Sequence, residues 1–265
     1  MIPRILHYPG SKWRIAKWII EQMPPHETYL EPFFGSGAVL FTKDRSKLET
    51  VNDLDEDIVN LFNVIREQPE RLAHAIYYTP HSRQEYYNSY LEAENNVEKA
   101  RRLIVRLWQG RGGKTAHRTG WRSMIEGNGP LPGKEWLAFP DKVVSISERL
   151  KGVQIEKQPA VKLIQRYARQ NVLIYADPPY LLNTRTTTAY KHEMSDRDHE
   201  ELLKVLIDHP GPVLLSGYKS DLYEEILSDW KNETISSVAE AGAKREEVLW
   251  LNPIAADWVY GLRLC

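Results

Sequence analysis

The stretch from Asn171 to Tyr180 constrains this chain more than any other. It begins as an apolar run typical of a buried central strand and ends in an acid, two prolines and an aromatic, Asp177-Pro178-Pro179-Tyr180. Because proline has a fixed φ and no N–H group, neither proline can continue a paired strand, and the residue before each is pushed into an extended conformation. The pattern therefore predicts a stiff turn at the carboxyl end of a strand, where open α/β sheets bind their ligands.

The residues of this turn favour recognition of a planar amino group. The Asp177 carboxylate and a neighbouring main-chain carbonyl can accept two hydrogen bonds from one NH₂ group. Tyr180 offers a face for stacking a flat base, a contact that contributes about 1–3 kcal/mol. The alternative is a structural turn with a solvated aspartate. The buried-type strand before the turn and the tyrosine after it favour the functional interpretation.

Composition limits the class of protein. The chain has 265 residues, of which 42% are hydrophobic, and can form either one large α/β domain or one domain with a small insertion. Its formal net charge of −1 means that any surface for nucleic acid must be local. The single cysteine, Cys265, excludes a disulfide framework. The sequence has neither a secretion signal nor an apolar run long enough to span a membrane, so we expect a cytoplasmic protein. No Cys or second His stands at metal-binding spacing from His199, so we expect no metal, and we expect His199 at the surface or as a helix cap.

Two glycine-containing stretches near the amino terminus are candidates for ligand binding. Tyr8-Pro9-Gly10-Ser11-Lys12 predicts a turn before a helix, with Ser11 as the candidate N-cap. The segment 28–37 predicts a strand that enters the loop Phe33-Phe34-Gly35-Ser36-Gly37, where glycines allow a ligand to approach the backbone. The loop lacks both the full G-x-G-x-x-G pattern and the Gly-Lys-Ser/Thr of a phosphate loop, so alone it is a weak signal.

An acid stands at the end of the second predicted strand, over 48–53. Asp53 follows the glycine loop by about twenty residues, the spacing at which a βαβ unit places a carboxylate on ribose hydroxyls. The alternative is that Asp53 caps the helix expected over 55–67, although Asp55 can fill that role instead.

The segment 67–151 has a different character, with charged helical patterns and then a glycine-rich basic loop over 109–122. Between Lys99 and Arg122 there are eight Lys or Arg residues and no acid. Charge runs are usually solvated faces, but arginines among glycines in a loop favour contact with phosphates and bases. We expect helical cations such as Arg102 and Arg106 to meet phosphates. The candidates for DNA binding in the loop are Arg111, Lys114, Arg118 and Arg122.

Asp177-Pro178-Pro179-Tyr180 resembles the catalytic signature of amino-group DNA methyltransferases, in the form of the adenine-N6 enzymes. The wider chain resembles their Dam-like group, in which a cofactor loop, an insertion and this signature follow in the same order. The resemblance implies an α/β, Rossmann-like methyltransferase sheet formed by residues 1–66 and 152–265, with a mostly helical target-recognition region inserted at 67–151. It also implies S-adenosylmethionine as cofactor and DNA as partner, with a cognate restriction enzyme left open.

The resemblance assigns roles to individual residues. The catalytic residues are Asp177, Pro178, Pro179 and Tyr180. The cofactor-binding residues are Tyr8, Lys12, Phe34, Gly35, Gly37, Asp53 and Asp177. The implied reaction is direct methyl transfer to adenine N6 of a base flipped out of the duplex. A late family motif matches Lys244–Asn252, but its residues suggest no chemistry.

Three alternatives remain open. The signature alone does not distinguish an RNA adenine or a DNA cytosine-N4 methyltransferase, and an inactive DNA-binding regulator would keep the same fold. Cytosine-C5 methylation is disfavoured because it requires an internal nucleophilic cysteine, and the one cysteine is the last residue, Cys265.

Overall fold

A seven-stranded sheet forms the centre of the protein in the computed structural model, which describes residues 4–125, 132–184, 188–238 and 244–262. Cys265 lies outside the described residues. The strands are β1 Thr28–Glu31, β2 Leu48–Asn52, β3 Val153–Glu156, β4 Val172–Ala176, β5 Val213–Gly217, β6 Lys231–Val238 and β7 Lys244–Leu251. Their order is β3-β2-β1-β4-β5-β7-β6. The first five are parallel and β7 runs antiparallel to both its neighbours, which confirms the predicted α/β, Rossmann-like sheet.

Helices cover both faces of the sheet. In chain order they are α1 Ala16–Glu21, α2 Ala38–Thr42, α3 Glu56–Glu67, α4 Pro69–Tyr77, α5 Arg83–Asn88, α6 Asn96–Gln109, α7 Pro132–Leu137, α8 Phe139–Leu150, α9 Ala160–Arg166, α10 Asp196–Ile207, α11 Asp221–Ile226 and α12 Pro253–Leu262, with a short 3₁₀ helix at Leu182–Thr184. None of the helices within the described ranges is long and apolar enough to cross a membrane.

The central strand β4 separates two layers of the core. All five of its residues are buried, as expected of a parallel strand covered on both faces. Because side chains alternate along a strand, Leu173 and Tyr175 pack with α1, α3, α6 and α8, whereas Ile174 and Ala176 pack with α9, α10 and α11. The apolar run in the sequence therefore reflects burial on both sides.

The sheet changes direction of winding between β1 and β4. From β1 the chain continues outward to β2 and β3, and from β4 it continues to β5 on the other side. The crevice between two such neighbours at their carboxyl ends is the usual ligand site of open α/β sheets. It brings the loop 32–37 next to the turn 177–180.

The segment 67–151 is largely helical, as expected, and contains α4 to α8. Leu72 of α4, Ile104 of α6 and Phe139 of α8 are fully buried in the same core cluster as the β1–β4 part of the sheet. These helices thus share a hydrophobic core with the sheet. The assignment of the segment 67–151 as a target-recognition region stays a prediction.

Two local predictions were wrong. Ser11 does not cap the first helix, which begins at Ala16; its hydroxyl lies 2.9 Å from that of Ser36 and links the two glycine-containing turns. His199 is fully buried, and its Nδ1 lies 3.0 Å from the Tyr223 hydroxyl, so it packs inside and not at the surface. A third uncertainty is resolved, since the side chain of Asp55, not Asp53, caps α3 by accepting from the Asp57 N–H.

Candidate active site

The glycine loop after β1 is held between the end of β2 and the amino-terminal turn. The Phe34 N–H donates to the Asn52 carbonyl at 2.8 Å, and the Gly35 N–H donates to Asp53 Oδ2 at 2.8 Å. Gly35 has φ +49°, and a Cβ there would lie 2.9 Å from the ring of Tyr8. Only glycine therefore lets the loop pass so close to Tyr8.

Gly37, the second glycine of the loop, is packed against aromatic rings. Its φ is +66°, and a Cβ would lie 2.5 Å from the ring of Phe41 and 2.6 Å from that of Phe34. Phe34 in turn packs against Phe62, with ring centres 4.6 Å apart. Gly37 therefore allows the aromatic packing behind the loop and is not itself on the cavity wall.

A cavity of about 430 Å³ opens at the carboxyl ends of β1 and β4. Its size suits a ligand of nucleoside dimensions. Six residues predicted to bind the cofactor line it: Tyr8, Lys12, Phe34, Gly35, Asp53 and Asp177. Lining residues that the sequence did not single out include Glu31, Tyr175, Tyr190, Lys191 and Met194.

Asp53 serves as an internal brace as well as a cavity wall. Its Oδ2 accepts from the Gly35 N–H, and its Oδ1 accepts from the Asp55 N–H at 2.9 Å. Burial raises the pKa of Asp53 to about 6, although both backbone hydrogen bonds oppose that rise. The carboxylate keeps lone pairs for a ligand, since each oxygen can accept more than one hydrogen bond.

Asp177 pairs with Lys12 across the cleft. The Lys12 Nζ lies 2.9 Å from Asp177 Oδ1, and it also donates to the Gly10 carbonyl at 2.6 Å. Lys12 is 4% exposed, and the Asp177 side chain is 20% exposed. Burial raises the pKa of Asp177, and the Lys12 ammonium opposes that rise. Lys12 therefore favours the ionised, hydrogen-bond-accepting form of the carboxylate.

The aromatic side of the turn is tied to β7. The Tyr180 hydroxyl donates to Glu247 Oε2 at 2.7 Å, and its ring meets that of Tyr218 edge to face at 4.5 Å. The Lys12 Nζ lies 4.8 Å from the centre of the Tyr180 ring. Pro178 is buried, and Pro179 lines the cavity. All four residues of the predicted signature thus lie together at the crevice.

Glu31 is a buried acid that sequence reasoning missed. It ends β1, is 2% exposed and accepts a hydrogen bond from the Tyr29 hydroxyl at 2.9 Å. Burial raises its pKa to about 8. A glutamate at the end of a buried strand is the signal that could have identified it.

The basic loop forms a short antiparallel connection. Gly110 and Trp121 form a bridge, and the Arg111 N–H donates to the Gly120 carbonyl at 2.9 Å. Arg111 and Arg118 are exposed, the latter with its guanidinium 5.3 Å from the centre of the Tyr87 ring. The other two candidates, Lys114 and Arg122, are half-buried.

The cations of α6 are engaged within the protein, contrary to the expectation that they meet phosphates. Arg101 and Arg102 both bind the Glu98 carboxylate, at 2.7 and 2.6 Å. Arg106 lies 3.5 Å from Asp57. The acids that pair with these cations are distant in sequence or precede the run, which is why the run appears uncompensated.

The basic loop also contacts the segment that borders the cavity. The Thr115 N–H donates to the Ala189 carbonyl at 3.1 Å, and the Lys191 N–H donates to the Thr115 hydroxyl at 3.2 Å. Tyr190, between them, lines the cavity.

In the part of the chain that the structure describes, no group of three or more His, Cys, Asp or Glu side chains is arranged to hold a metal ion.

The sequence of this chain matches the model of one protein family over most of its length. D12 class N6 adenine-specific DNA methyltransferases match residues 8–242, from the turn at Tyr8 through the glycine loop, the helical segment and Asp177–Tyr180. The chain belongs to this family. Its activity is methylation of adenine N6 in DNA, as the sequence predicted. Methyltransferases of this class need a methyl donor, normally S-adenosylmethionine.

Three relatives similar in sequence to this chain are also named methyltransferases. Type II methyltransferase M1.LlaDCHI of Lactococcus lactis subsp. cremoris is 29% identical over 266 residues, covering 89% of this chain and 90% of that protein. Type II methyltransferase M.MjaIII of Methanocaldococcus jannaschii is 24% identical over 253 residues, covering 83% and 86%. The DNA N-6-adenine-methyltransferase of Escherichia phage P1 is 29% identical over 98 residues, 36% of this D12 chain and 12% of the phage protein.

Proposed function

We propose that this D12 methyltransferase binds S-adenosylmethionine in the cavity between β1 and β4 and methylates an adenine that is flipped out of DNA against Asp177. One observation carries the proposal. Asp177 and Pro179 of the turn line the same cavity as the glycine loop and the Asp53 carboxylate. Donor and acceptor groups can therefore meet at one crevice.

The residues that line the cavity support binding of the proposed donor. Asp53 is placed to accept hydrogen bonds from ribose hydroxyls, and Phe34 and Tyr8 supply flat apolar walls. Gly35 brings backbone close to the ligand, and Gly37 supports that loop from behind. The donor supplies an electrophilic methyl group on a positively charged sulfur. Lys12 joins this site to Asp177, so it serves both the cofactor side and the catalytic side.

Asp177 and the Pro178 carbonyl orient the target amino group. The N6 lone pair of adenine is delocalised into the ring and is a poor nucleophile. Hydrogen bonds from its two N–H groups to Asp177 and Pro178 would favour localising the lone pair toward the methyl group. Asp177 acts as an orienting acceptor and an electrostatic stabiliser more than as a strong base. Lys12 supports this role by favouring the ionised carboxylate.

Tyr180 provides the stacking surface for the flipped base. An amino group inside a stacked duplex is out of reach, so the enzyme must extrude the nucleotide. Stacking on an aromatic ring contributes about 1–3 kcal/mol toward that cost. Tyr180 follows Asp177 closely in the chain and its ring meets that of Tyr218 edge to face, which supports this assignment.

Target recognition is proposed for the region 67–151 and chiefly for its basic loop. Arg111 and Arg118 are exposed cations on that loop, suited to base edges or phosphates. Lys114 and Arg122 remain proposed contacts beside them. Two relatives are named Type II methyltransferases, so we extend the proposal to a restriction–modification system with a cognate restriction enzyme of the same recognition sequence as partner. The proposed location is the cytoplasm.

The proposal is tested by mapping modified adenines in DNA. Cells that express the wild-type protein, and cells that express Asp177→Asn, supply genomic DNA for long-read sequencing. We expect N6-methyladenine in one short sequence context with the wild type and none above background with the variant. Synthetic DNA and RNA of the same sequence, digested and resolved by mass, then identify the substrate. Methylation of RNA or of cytosine N4 instead would overturn the proposal.

A further inference from the structure

Glu247 is the residue of the Lys244–Asn252 motif that reaches the catalytic turn. Strand β7 pairs antiparallel with β5, and Val248 lies opposite Gly217, the last residue of β5. Glu247 therefore lies level with the residues that follow β5. Its side chain is 13% exposed, so the carboxylate is largely removed from water and depends on protein partners.

Those partners are Tyr180, the proposed stacking surface for the base, and its neighbour Tyr218. Glu247 Oε2 accepts the Tyr180 hydroxyl at 2.7 Å, and Oε1 accepts the Tyr218 hydroxyl at 3.5 Å. The two rings meet edge to face with centres 4.5 Å apart. Glu247 Oε2 also lies 4.0 Å from the Lys12 Nζ that pairs with Asp177. One carboxylate thus joins the stacking ring, its neighbour and the catalytic ion pair.

We propose that Glu247 is a positioning residue for methyl transfer, which fixes the angle of the Tyr180 ring on which the target base stacks. The inference rests on the proposed function, because it concerns the same pocket. A hydroxyl donating to a carboxylate forms a charge-assisted hydrogen bond, roughly twice as strong as a neutral one. With its phenol end held by Glu247 and its Cβ end by the proline turn, the Tyr180 ring cannot swing away from the base.

Such a role predicts an effect on the chemical step and not on donor binding. Displacement of a reacting group by about 1 Å can lower a rate by about 10²-fold. Glu247 is not among the residues that line the cofactor cavity. Its loss should therefore leave affinity for S-adenosylmethionine unchanged while it slows transfer to a bound base.

Three variants and one matched control test the inference. Glu247→Gln removes the charge while keeping the shape, Tyr180→Phe keeps the ring and removes the hydroxyl, and the double variant combines them. Glu246→Gln is the control, because it makes the same change on the adjacent, exposed residue of β7. Single-turnover rates at saturating DNA and donor, thermal midpoints and donor affinity are measured for each. Rates are measured on DNA with the sequence that the wild-type protein methylates. A second duplex of the same sequence, with 2-aminopurine in place of the target adenine, has no 6-amino group to accept the methyl and is used only for the fluorescence of the flipped base.

We expect Glu247→Gln and Tyr180→Phe each to lower the single-turnover rate about 10- to 100-fold with donor affinity within twofold of wild type. The double variant should be no slower than the slower single variant, because Glu247→Gln weakens the same charge-assisted hydrogen bond that Tyr180→Phe removes. The 2-aminopurine emission of the Glu247→Gln complex should exceed that of wild type, since the flipped base stacks less well. Glu246→Gln should match wild type throughout.

The role of Glu247 is overturned if Glu247→Gln keeps a rate within twofold of wild type, if the effects of the two single variants multiply, or if the emission is unchanged. A wild-type protein that methylates no adenine would instead overturn the proposed function, and this inference with it. The two failures are therefore distinguished by the wild-type measurement.

Discussion

The crevice at the ends of β1 and β4 and the basic loop over 109–122 both depend on charged residues, but they hold them differently. In the crevice, Lys12, Asp177 and Glu31 are largely buried and each has a fixed partner. In the loop, Arg111 and Arg118 are exposed. Buried, paired charges suit chemistry, because they need little reorganisation when the transition state forms. Exposed charges suit recognition, because they can adjust to a large polyanion.

A second contrast lies inside the segment that carries the loop. The cations of α6 are neutralised by Glu98 and by Asp57 of α3. The cations of the loop follow directly in sequence, yet no ion pair to Arg111 or Arg118 is found among the described residues. A single basic run in the sequence therefore divides into a helical part whose cations pair with acids of the protein and a loop part with two exposed arginines. The two contrasts lead to the following predictions.

The largest effect is expected at the buried end of the first contrast. Asp177→Asn should lower methyl transfer by about 10³-fold, because it removes the charge that orients the target amino group. A second variant, Asp177→Ala, should also lower the free energy of unfolding by about 1–3 kcal/mol, because Lys12 would lose its ion-pair partner. Single-turnover kinetics and thermal melts measure both. Wild-type rates in Asp177→Asn would remove Asp177 from the mechanism.

The next effect concerns the donor. Asp53→Asn should weaken binding of S-adenosylmethionine by about 1.5–3 kcal/mol, through loss of charge-assisted hydrogen bonds to the ribose. The amide oxygen can accept from only one of the Gly35 and Asp55 N–H groups, so the free energy of unfolding should fall by about 1 kcal/mol while the protein stays folded. Calorimetry measures the affinity, with the exposed Asp44→Asn as control. Unchanged affinity in a folded Asp53→Asn variant would contradict the ribose assignment.

The pH dependence of donor binding provides a third measurement. Burial raises the pKa of Asp53 to about 6, so below that pH the carboxyl group gains a proton and becomes a weaker acceptor. Affinity for the donor should therefore fall as pH decreases below about 6, by at most about tenfold per pH unit. Asp53→Asn should lack this dependence. Glu31 and Asp177 are present in both proteins, so a dependence that persists in Asp53→Asn would assign it to one of them.

A smaller effect is expected in the basic loop. Arg111→Ala and Arg118→Ala should each either lower the slope of log affinity against log salt by about one, for a phosphate contact, or relax sequence preference by about 1–3 kcal/mol, for a base contact. Donor affinity should stay unchanged. DNA binding at several salt concentrations distinguishes the classes. If both variants keep wild-type affinity, salt slope and specificity, recognition lies elsewhere in the protein.

The smallest effect is expected in α6. Arg102→Ala should lower the free energy of unfolding by about 1 kcal/mol, because Arg102 binds Glu98 and the carbonyl groups of Leu91 and Glu92. The salt slope of DNA binding should not change. Arg118→Ala is the matched comparison, since it should change DNA binding and leave stability nearly intact. A reduced salt slope for Arg102→Ala would show that the helix also contacts phosphates.

The sequence by itself determined the elements whose signals are local. An apolar run that ends in Asp177-Pro178-Pro179 must stop as a strand and turn, whatever surrounds it, because the prolines cannot pair. The glycine loop and the order of strands and helices are likewise encoded over short distances. These features were sufficient to predict the α/β sheet, the crevice and the family.

Only the tertiary structure decided which charges meet. The sequence could not predict that Lys12 faces Asp177, that Glu247 holds Tyr180, or that α3 supplies an acid to α6. Each of these contacts joins residues that are far apart in the chain. Their distances depend on the strand order, on the register of β7 against β5 and on helix packing. Periodicity and local composition predict elements, but long-range pairing follows from how the whole core packs.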